Sequence, residues 1–192
     1  SGAGKTTLLK TAPRPLLIID FEAGADIICA GEENIDIVFV NDIKTLKEVL
    51  LWLKGQAQYK TIAFDGFSIF SQKLLFDILQ ERGKDNPTWF EWGLLINRIK
   101  EIVLSLLRPN THTVFTALLK RKIENNKLVA MHPDLPQSLR QYIMAIMDLM
   151  GIIYIDSEGQ RKVSFVSEKK IAEVKDRTGR LRIEEPDLTR IL

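Results

Sequence analysis

At 192 residues, with 45% of them apolar, the chain is long enough to bury one sizeable core, which excludes a disordered or fibrous class. A net charge of +2 implies no global electrostatic partner, and no apolar run approaches the length of a membrane span. Cys29 stands alone and no signal peptide is visible, so internal disulfides are excluded and a reducing, intracellular setting is expected.

The chain opens on Ser1-Gly2-Ala3-Gly4-Lys5-Thr6-Thr7, the second half of the phosphate-binding pattern G-x-x-x-x-G-K-[ST]. The first glycine would fall two residues before Ser1, so the chain is expected to begin inside the loop, without the strand that feeds it. Small residues suit a backbone that curls round phosphate oxygens, and Gly2 and Gly4 tolerate positive φ. The backbone from Ser1 to Thr7, Ala3 included, is the expected cradle for a nucleoside triphosphate, ATP. Lys5 would reach its β- and γ-phosphates, and the Thr6 hydroxyl would ligate Mg²⁺. The competing reading is a glycine-rich surface turn before a helix.

Residues 6–12 allow about two helical turns before Pro13. Residues 16–19 form a continuously apolar run ending in Asp20, the pattern of a strand buried on both faces. Asp20-Phe21-Glu22-Ala23-Gly24 reads as a loop and residues 35–40 as a second strand. Asp42 can cap a helix with Ile43, Leu46, Val49, Leu50 and Leu53 on one face. Residues 61–65 are a third buried strand ending in Asp65. Phe67, Phe70, Leu74 and Ile78 mark the next helix, which residues 83–87 break. A long amphipathic helix spans 89–107, and residues 111–118 form a fourth strand. A hairpin or flap over 120–129 turns at Asn125-Asn126, Pro133 and Pro136 bound a loop, and residues 137–149 read as a helix. Residues 151–156 and 161–166 form a hairpin, residues 171–175 a last strand, and Thr178-Gly179 a turn. Strands alternating with helices predict an α/β fold with a mostly parallel sheet and antiparallel hairpins towards the C-terminus.

In open parallel sheets, ligands sit beyond the carboxyl ends of the strands. Asp20, Glu22 and Asp65 are therefore expected on that rim. Asp65 fits a carboxylate that holds Mg²⁺ through water or orients Thr6; otherwise it caps the helix from Gly66. Glu22 is the candidate group for positioning the attacking water, and its alternative is a loop acid paired with a surface lysine. His112 and His132 are isolated and read as loop residues.

Residues 161–182 carry eight Lys/Arg (Arg161, Lys162, Lys169, Lys170, Lys175, Arg177, Arg180, Arg182) against Glu168, Glu173 and Asp176. Such a run is either a solvated face or a surface that meets phosphate or a neighbouring subunit. Lys120-Arg121-Lys122 is a second basic cluster. Trp89, Phe90 and Trp92 suggest base stacking, but Trp92 fits the buried face of the helix and core packing is the expectation for all three.

The short helix after G-K-T-T, followed by T-A-P-R-P-L-L-I-I-D-F-E-A-G (residues 11–24), resembles the RecA-like ATPases of phages in the single-strand-annealing group known as the fourth Sak family. The resemblance continues through the Asp65 strand, the long helix, the following strand and the basic C-terminal part, nearly the whole chain. It implies that residues 1–192 are a single RecA-like ATPase domain, truncated within its P-loop. It also implies ATP-driven work on single-stranded DNA in phage recombination or annealing. The protein would act as a homo-oligomer or with a single-strand-binding protein, in the cytoplasm of a bacterial host.

In the wider RecA group the glutamate of D-x-E-x-G activates water, which implies that role for Glu22. A K-x-R pair on a late strand there reaches the γ-phosphate of a neighbouring subunit, and Lys175-Asp176-Arg177 matches it. The alternative is a charged hairpin of solvated side chains. The strand at Val114-Phe115-Thr116 leads in that group to a polar γ-phosphate sensor. Ala117-Leu118-Leu119 follow here, so Thr116, Lys120 or Arg121 are left to sense.

A competing function is a non-hydrolysing module in which ATP only orders an oligomer on DNA. A small-molecule kinase lacks its arginine-rich lid here, and the short spacing from Thr7 to Pro15 disfavours a ParA-like partition ATPase.

Overall fold

The computed structural model describes residues 3–167 and 171–192. Ser1 and Gly2 of the phosphate loop, and Glu168, Lys169 and Lys170 of the basic stretch, lie outside the described residues. After α1 (Lys5–Leu9), the chain forms β1 (Leu16–Asp20), α2 (Ala25–Ile28), β2 (Ile35–Phe39) and α3 (Ile43–Leu53). It continues through β3 (Thr61–Asp65), α4 (Phe67–Glu81), α5 (Trp89–Leu106) and β4 (His112–Phe115). Two units result: Pro13–Thr116, and Ser1–Ala12 with Ala117–Leu192. Among the described residues no helix is long and apolar enough to cross a membrane.

In Pro13–Thr116 a four-stranded sheet has the order β2-β1-β3-β4, with every neighbouring pair parallel. The two central strands are buried at every residue, which is why Leu16 to Ile19 and Ile62 to Phe64 are continuously apolar instead of alternating. The register sets Asp20 opposite Asp65, so the two carboxylates end adjacent strands side by side. Phe64 anchors the core, its ring 4.5 Å from that of Phe21, 5.1 Å from Phe70 and 5.5 Å from Phe67. Each such pair contributes about 0.5–1.5 kcal/mol beyond its buried area, so this cluster holds the ends of β1 and β3 firmly.

Helix starts follow from local chemistry. Asp42 Oδ1 accepts the Thr45 N–H at 2.8 Å and opens α3. Thr88 and Glu91 form a reciprocal capping box that opens α5. Two of the three aromatics depart from the core expectation. Trp89 is 94% exposed and Phe90 57% exposed, whereas Trp92 is half-buried. The helix begins at Trp89, so its inward stripe starts at Glu91 and runs through Leu95, Ile99, Ile102, Val103 and Leu106. The first two rings fall outside that stripe.

In the other unit, β5 (Leu119–Glu124) and β6 (Lys127–Pro133) form an antiparallel ribbon longer than the predicted flap. Pro133 closes β6 and Pro136 caps the helix that follows, so the two prolines bound the intervening loop as expected; a terminal strand position needs no N–H in the ladder. Helix α6 (Gln137–Ile146) stops three residues short of the predicted Leu149, because β7 (Leu149–Met150) is taken up in pairing with β10 (Lys175–Asp176). The expected strand at 171–175 shrinks to β10, with only an isolated bridge from Ala172 to Met131. β8 (Ile152–Ile155) and β9 (Arg161–Ser164) make the expected hairpin, and β11 (Ile183–Glu184) extends it to the order β11-β9-β8. α7 (Leu188–Ile191) follows, and the Leu188 N–H donates to Thr11 Oγ1 at 2.8 Å. His112 and His132, expected in loops, both lie in strands.

Candidate nucleotide site

The loop after β1 is built on one carboxylate. Asp20 Oδ1 accepts the N–H groups of Glu22 at 2.8 Å and Ala23 at 3.1 Å. Its Oδ2 accepts those of Gly24 and Ala25, both at 2.9 Å. Four successive amides thus converge on a buried anion, a charge-assisted arrangement stronger than neutral pairing. Asp20 is thereby committed as the scaffold of the loop. Ala23 takes positive φ (57°) to close the turn, and Glu22 projects from it exposed to solvent.

The ladder between β1 and β3 runs one residue past the strands, with the Phe21 N–H donating to the Asp65 carbonyl at 3.0 Å. Immediately beyond, Glu22 lies against Gly66. A β-carbon built on Gly66 would stand 2.8 Å from Glu22 Cγ and 3.3 Å from Glu22 Oε1. Gly66 also has φ of 96°, so a glycine is required there twice over. It brings Glu22 to within one residue of Asp65.

Thr116, the residue after β4, ties the same corner. Its hydroxyl donates to Asp65 Oδ1 and accepts the Gly66 N–H at 3.0 Å. Its own N–H donates to the Phe64 carbonyl at 3.1 Å, and its carbonyl accepts the Phe67 N–H at 2.8 Å. Asp65 therefore does not cap α4; Gly66 holds that position and no side chain caps the helix. Of the predicted site residues, this unit brings Glu22, Asp65 and Thr116 together.

The phosphate-loop segment belongs to the other unit. Gly4 is left-handed, with φ of 90°, and caps α1, where its carbonyl accepts the Leu8 N–H at 2.9 Å. Lys5 and Thr6 are half-buried in the first turn, and Thr7 is exposed. No side chain caps this start.

The K-x-R pair serves α6 of the same unit. Lys175 Nζ donates to the carbonyls of Met144 and Met147, each at 2.7 Å. Arg177 reaches the Ala145 carbonyl at 3.4 Å and pairs with Asp148 at 2.6 Å. Both cations thus sit where the last carbonyls of a helix lack partners and its dipole is negative. The Lys175 amine is largely spent on this, whereas the Arg177 side chain stays 58% exposed.

Among the described residues no group of three or more His, Cys, Asp or Glu could hold a metal ion. The Thr6 hydroxyl in one unit and the Asp65 carboxylate in the other are each oxygen donors of the kind Mg²⁺ takes, a cation that keeps several waters and takes other ligands from phosphates. A model of the AAA domain family matches residues 1–178, from the G-K-T-T segment to just past Arg177.

The chain belongs to the AAA domain family. AAA domains are nucleotide-binding P-loop ATPases, and the α/β architecture with its four-stranded parallel sheet is a P-loop NTPase core. The match spans both units of the chain. No curated protein matches it. Within this AAA domain, the sequence reading singled out Glu22, Asp65 and Thr116 but missed Gly66. Its signal was an Asp-Gly pair at the end of a largely apolar strand, where a glycine admits a close approach.

Proposed function

We propose that this AAA domain binds ATP with Mg²⁺ and hydrolyses it, residues 1–192 working as one RecA-like ATPase domain. The observation that carries the reading is the apposition of Glu22, Gly66 and Asp65, fixed by the four-amide grip of Asp20. Bound Mg²⁺ would neutralise charge on the phosphates; Thr6 and Asp65 would hold it. The backbone of Ser1, Gly2, Ala3, Gly4, Lys5, Thr6 and Thr7 cradles the phosphates, and the Lys5 ammonium neutralises them. Glu22 orients a water and accepts its proton. Thr116 senses the γ-phosphate through its bond to Asp65, and Arg177, with Lys175 beside it at the end of α6, acts on the nucleotide of a neighbouring subunit.

The finer reading is an ATPase of the fourth Sak family, acting on single-stranded DNA in phage recombination or annealing as a homo-oligomer or with a single-strand-binding protein. Its support is the motif string of residues 11–24 and the exposed ribbon of β5 and β6, which carries Lys120, Arg121, Lys122 and Lys127. Cations on an exposed ribbon grip a strand through its phosphates without reading sequence.

Glu22→Gln is the deciding variant. It should bind ATP as the wild type does and lose turnover by at least about 100-fold, the scale of a general base. Turnover by Glu22→Gln at the wild-type rate would remove Glu22 from the mechanism. A wild type that binds ATP and anneals DNA without hydrolysis would instead favour the nucleotide-ordered module. For DNA, single-stranded oligonucleotides should stimulate hydrolysis and bind with strong salt dependence; an ATPase indifferent to them would end the finer reading.

A further inference from the structure

Gly4 has a neighbour that the phosphate-loop motif does not require. A β-carbon built on it would stand 2.7 Å from Arg161 Nε, 2.9 Å from Arg161 Cδ and 3.6 Å from Arg161 Cζ. The arginine therefore lies across the α-carbon of Gly4, in the space a side chain there would fill. Both residues belong to the same unit.

Arg161 is held there by its backbone. It opens β9 and pairs with Ile155 of β8. The turn before it is closed by Asp156, whose Oδ1 accepts the N–H groups of Glu158 at 3.0 Å and Gln160 at 2.8 Å. The next residue, Lys162, is taken by Glu185. Among the described residues, by contrast, no carboxylate or carbonyl engages the Arg161 guanidinium. Five donors and a full positive charge thus sit beside the loop, and Lys5 adds a second cation one residue from Gly4. Arg161 lies exposed beside Gly4 with no anionic partner among the described residues, so an anion seated at the loop can reach it without first breaking an ion pair. The forked guanidinium suits phosphate oxygens better than a point charge does.

We infer that Arg161 is a phosphate ligand of the bound nucleotide, contributed by the same chain that supplies Lys5. The inference rests on the nucleotide reading proposed above and adds a residue to it. The loop backbone around Gly4 cradles the inner phosphates and Lys5 reaches outwards, so a cation over Gly4 discriminates nucleoside di- and triphosphates from monophosphates.

Equilibrium binding of ATP, ADP and AMP to the wild type, Arg161→Gln, Arg161→Lys and Arg180→Gln tests this. Arg161→Gln should weaken ATP and ADP by about 10- to 100-fold, the range of one charge-assisted hydrogen bond, and leave AMP unchanged. Arg161→Lys should recover part of the loss, and Arg180→Gln, which removes a cation elsewhere in the basic stretch, should bind as the wild type does. Tight ATP binding by both the wild type and Arg161→Gln overturns the inference and leaves the nucleotide reading standing. No binding by the wild type overturns both. Equal losses in Arg161→Gln and Arg180→Gln would reduce the effect to net charge and overturn it too. Should Arg161→Gln melt early, Arg161→Lys decides: a ratio of ATP to AMP affinity below that of the wild type upholds the ligand role, and an unchanged ratio overturns it.

Discussion

Glu22 lies over the α-carbon of Gly66, and no residue with a side chain fits beneath it. Gly66→Ala should push Glu22 from the end of β3. Turnover is expected to fall about 100-fold, the scale of a small misplacement of a reacting group. Folding should lose about 1–2 kcal/mol from the left-handed conformation at that residue. ATP binding should change little. Steady-state hydrolysis beside equilibrium ATP binding checks this, and an unchanged turnover would detach Glu22 from the chemistry.

Thr116→Val keeps the shape of the side chain and removes the hydroxyl that joins Asp65 to the Gly66 amide. The buried N–H of Gly66 then lacks that partner, which costs about 1–3 kcal/mol. Urea unfolding should show the loss, and Thr116→Ser should restore most of it. If Thr116 also conveys the state of the γ-phosphate, the valine variant loses turnover beyond what its stability explains, while the serine variant does not.

Glu91 ties the start of α5 to the connector before it. Hydrogen bonds from the Thr88 hydroxyl and N–H, with a further one from Arg82, hold its carboxyl at about 2, below its ordinary 4.5, although burial opposes this. The folded value is the lower one, so the stabilisation is fully present above about pH 4.5 and is lost as pH falls through about 2. Urea midpoints measured across that window should decline steeply in the wild type. Glu91→Gln should be less stable at neutral pH and show a flatter acid limb.

Lys175 and Arg177 should separate on substitution. Lys175→Met leaves carbonyls at the end of α6 without their cation and should cost about 1–2 kcal/mol in urea unfolding. Arg177→Ala removes an exposed pair with Asp148, worth about 0–1 kcal/mol. If Arg177 reaches a neighbour's nucleotide, that variant loses turnover about 1000-fold with stability intact, and mixing it with Glu22→Gln subunits restores activity. A variant that hydrolyses ATP at the wild-type rate would confine Arg177 to the cap of α6.

The sheet was legible because its central strands are short, apolar runs with acids at their ends, and burial on both faces leaves that mark. Asp65 and Glu22 could be singled out for the same reason. What escaped was set by tertiary geometry. The grip of Asp20 on four amides has no pattern beyond an Asp before a Gly-containing loop. Gly66 and Arg161 matter through residues far away in sequence, Glu22 and Gly4. The start of α5 at Trp89 was legible, whereas the exposure of Trp89 and Phe90 was not, because apolar rings in a first turn carry no mark of the face they take. α2, α7 and β11 are too short to show any period.

The grip of Asp20 bears on how such a site is switched. A loop whose four amides are already satisfied by its own chain gives up its freedom during folding, before any ligand arrives. If Glu22 is the water-positioning group proposed above, the loop that carries it takes its shape without a ligand. On that reading, a delay between loading a nucleotide and cleaving it would arise in other groups.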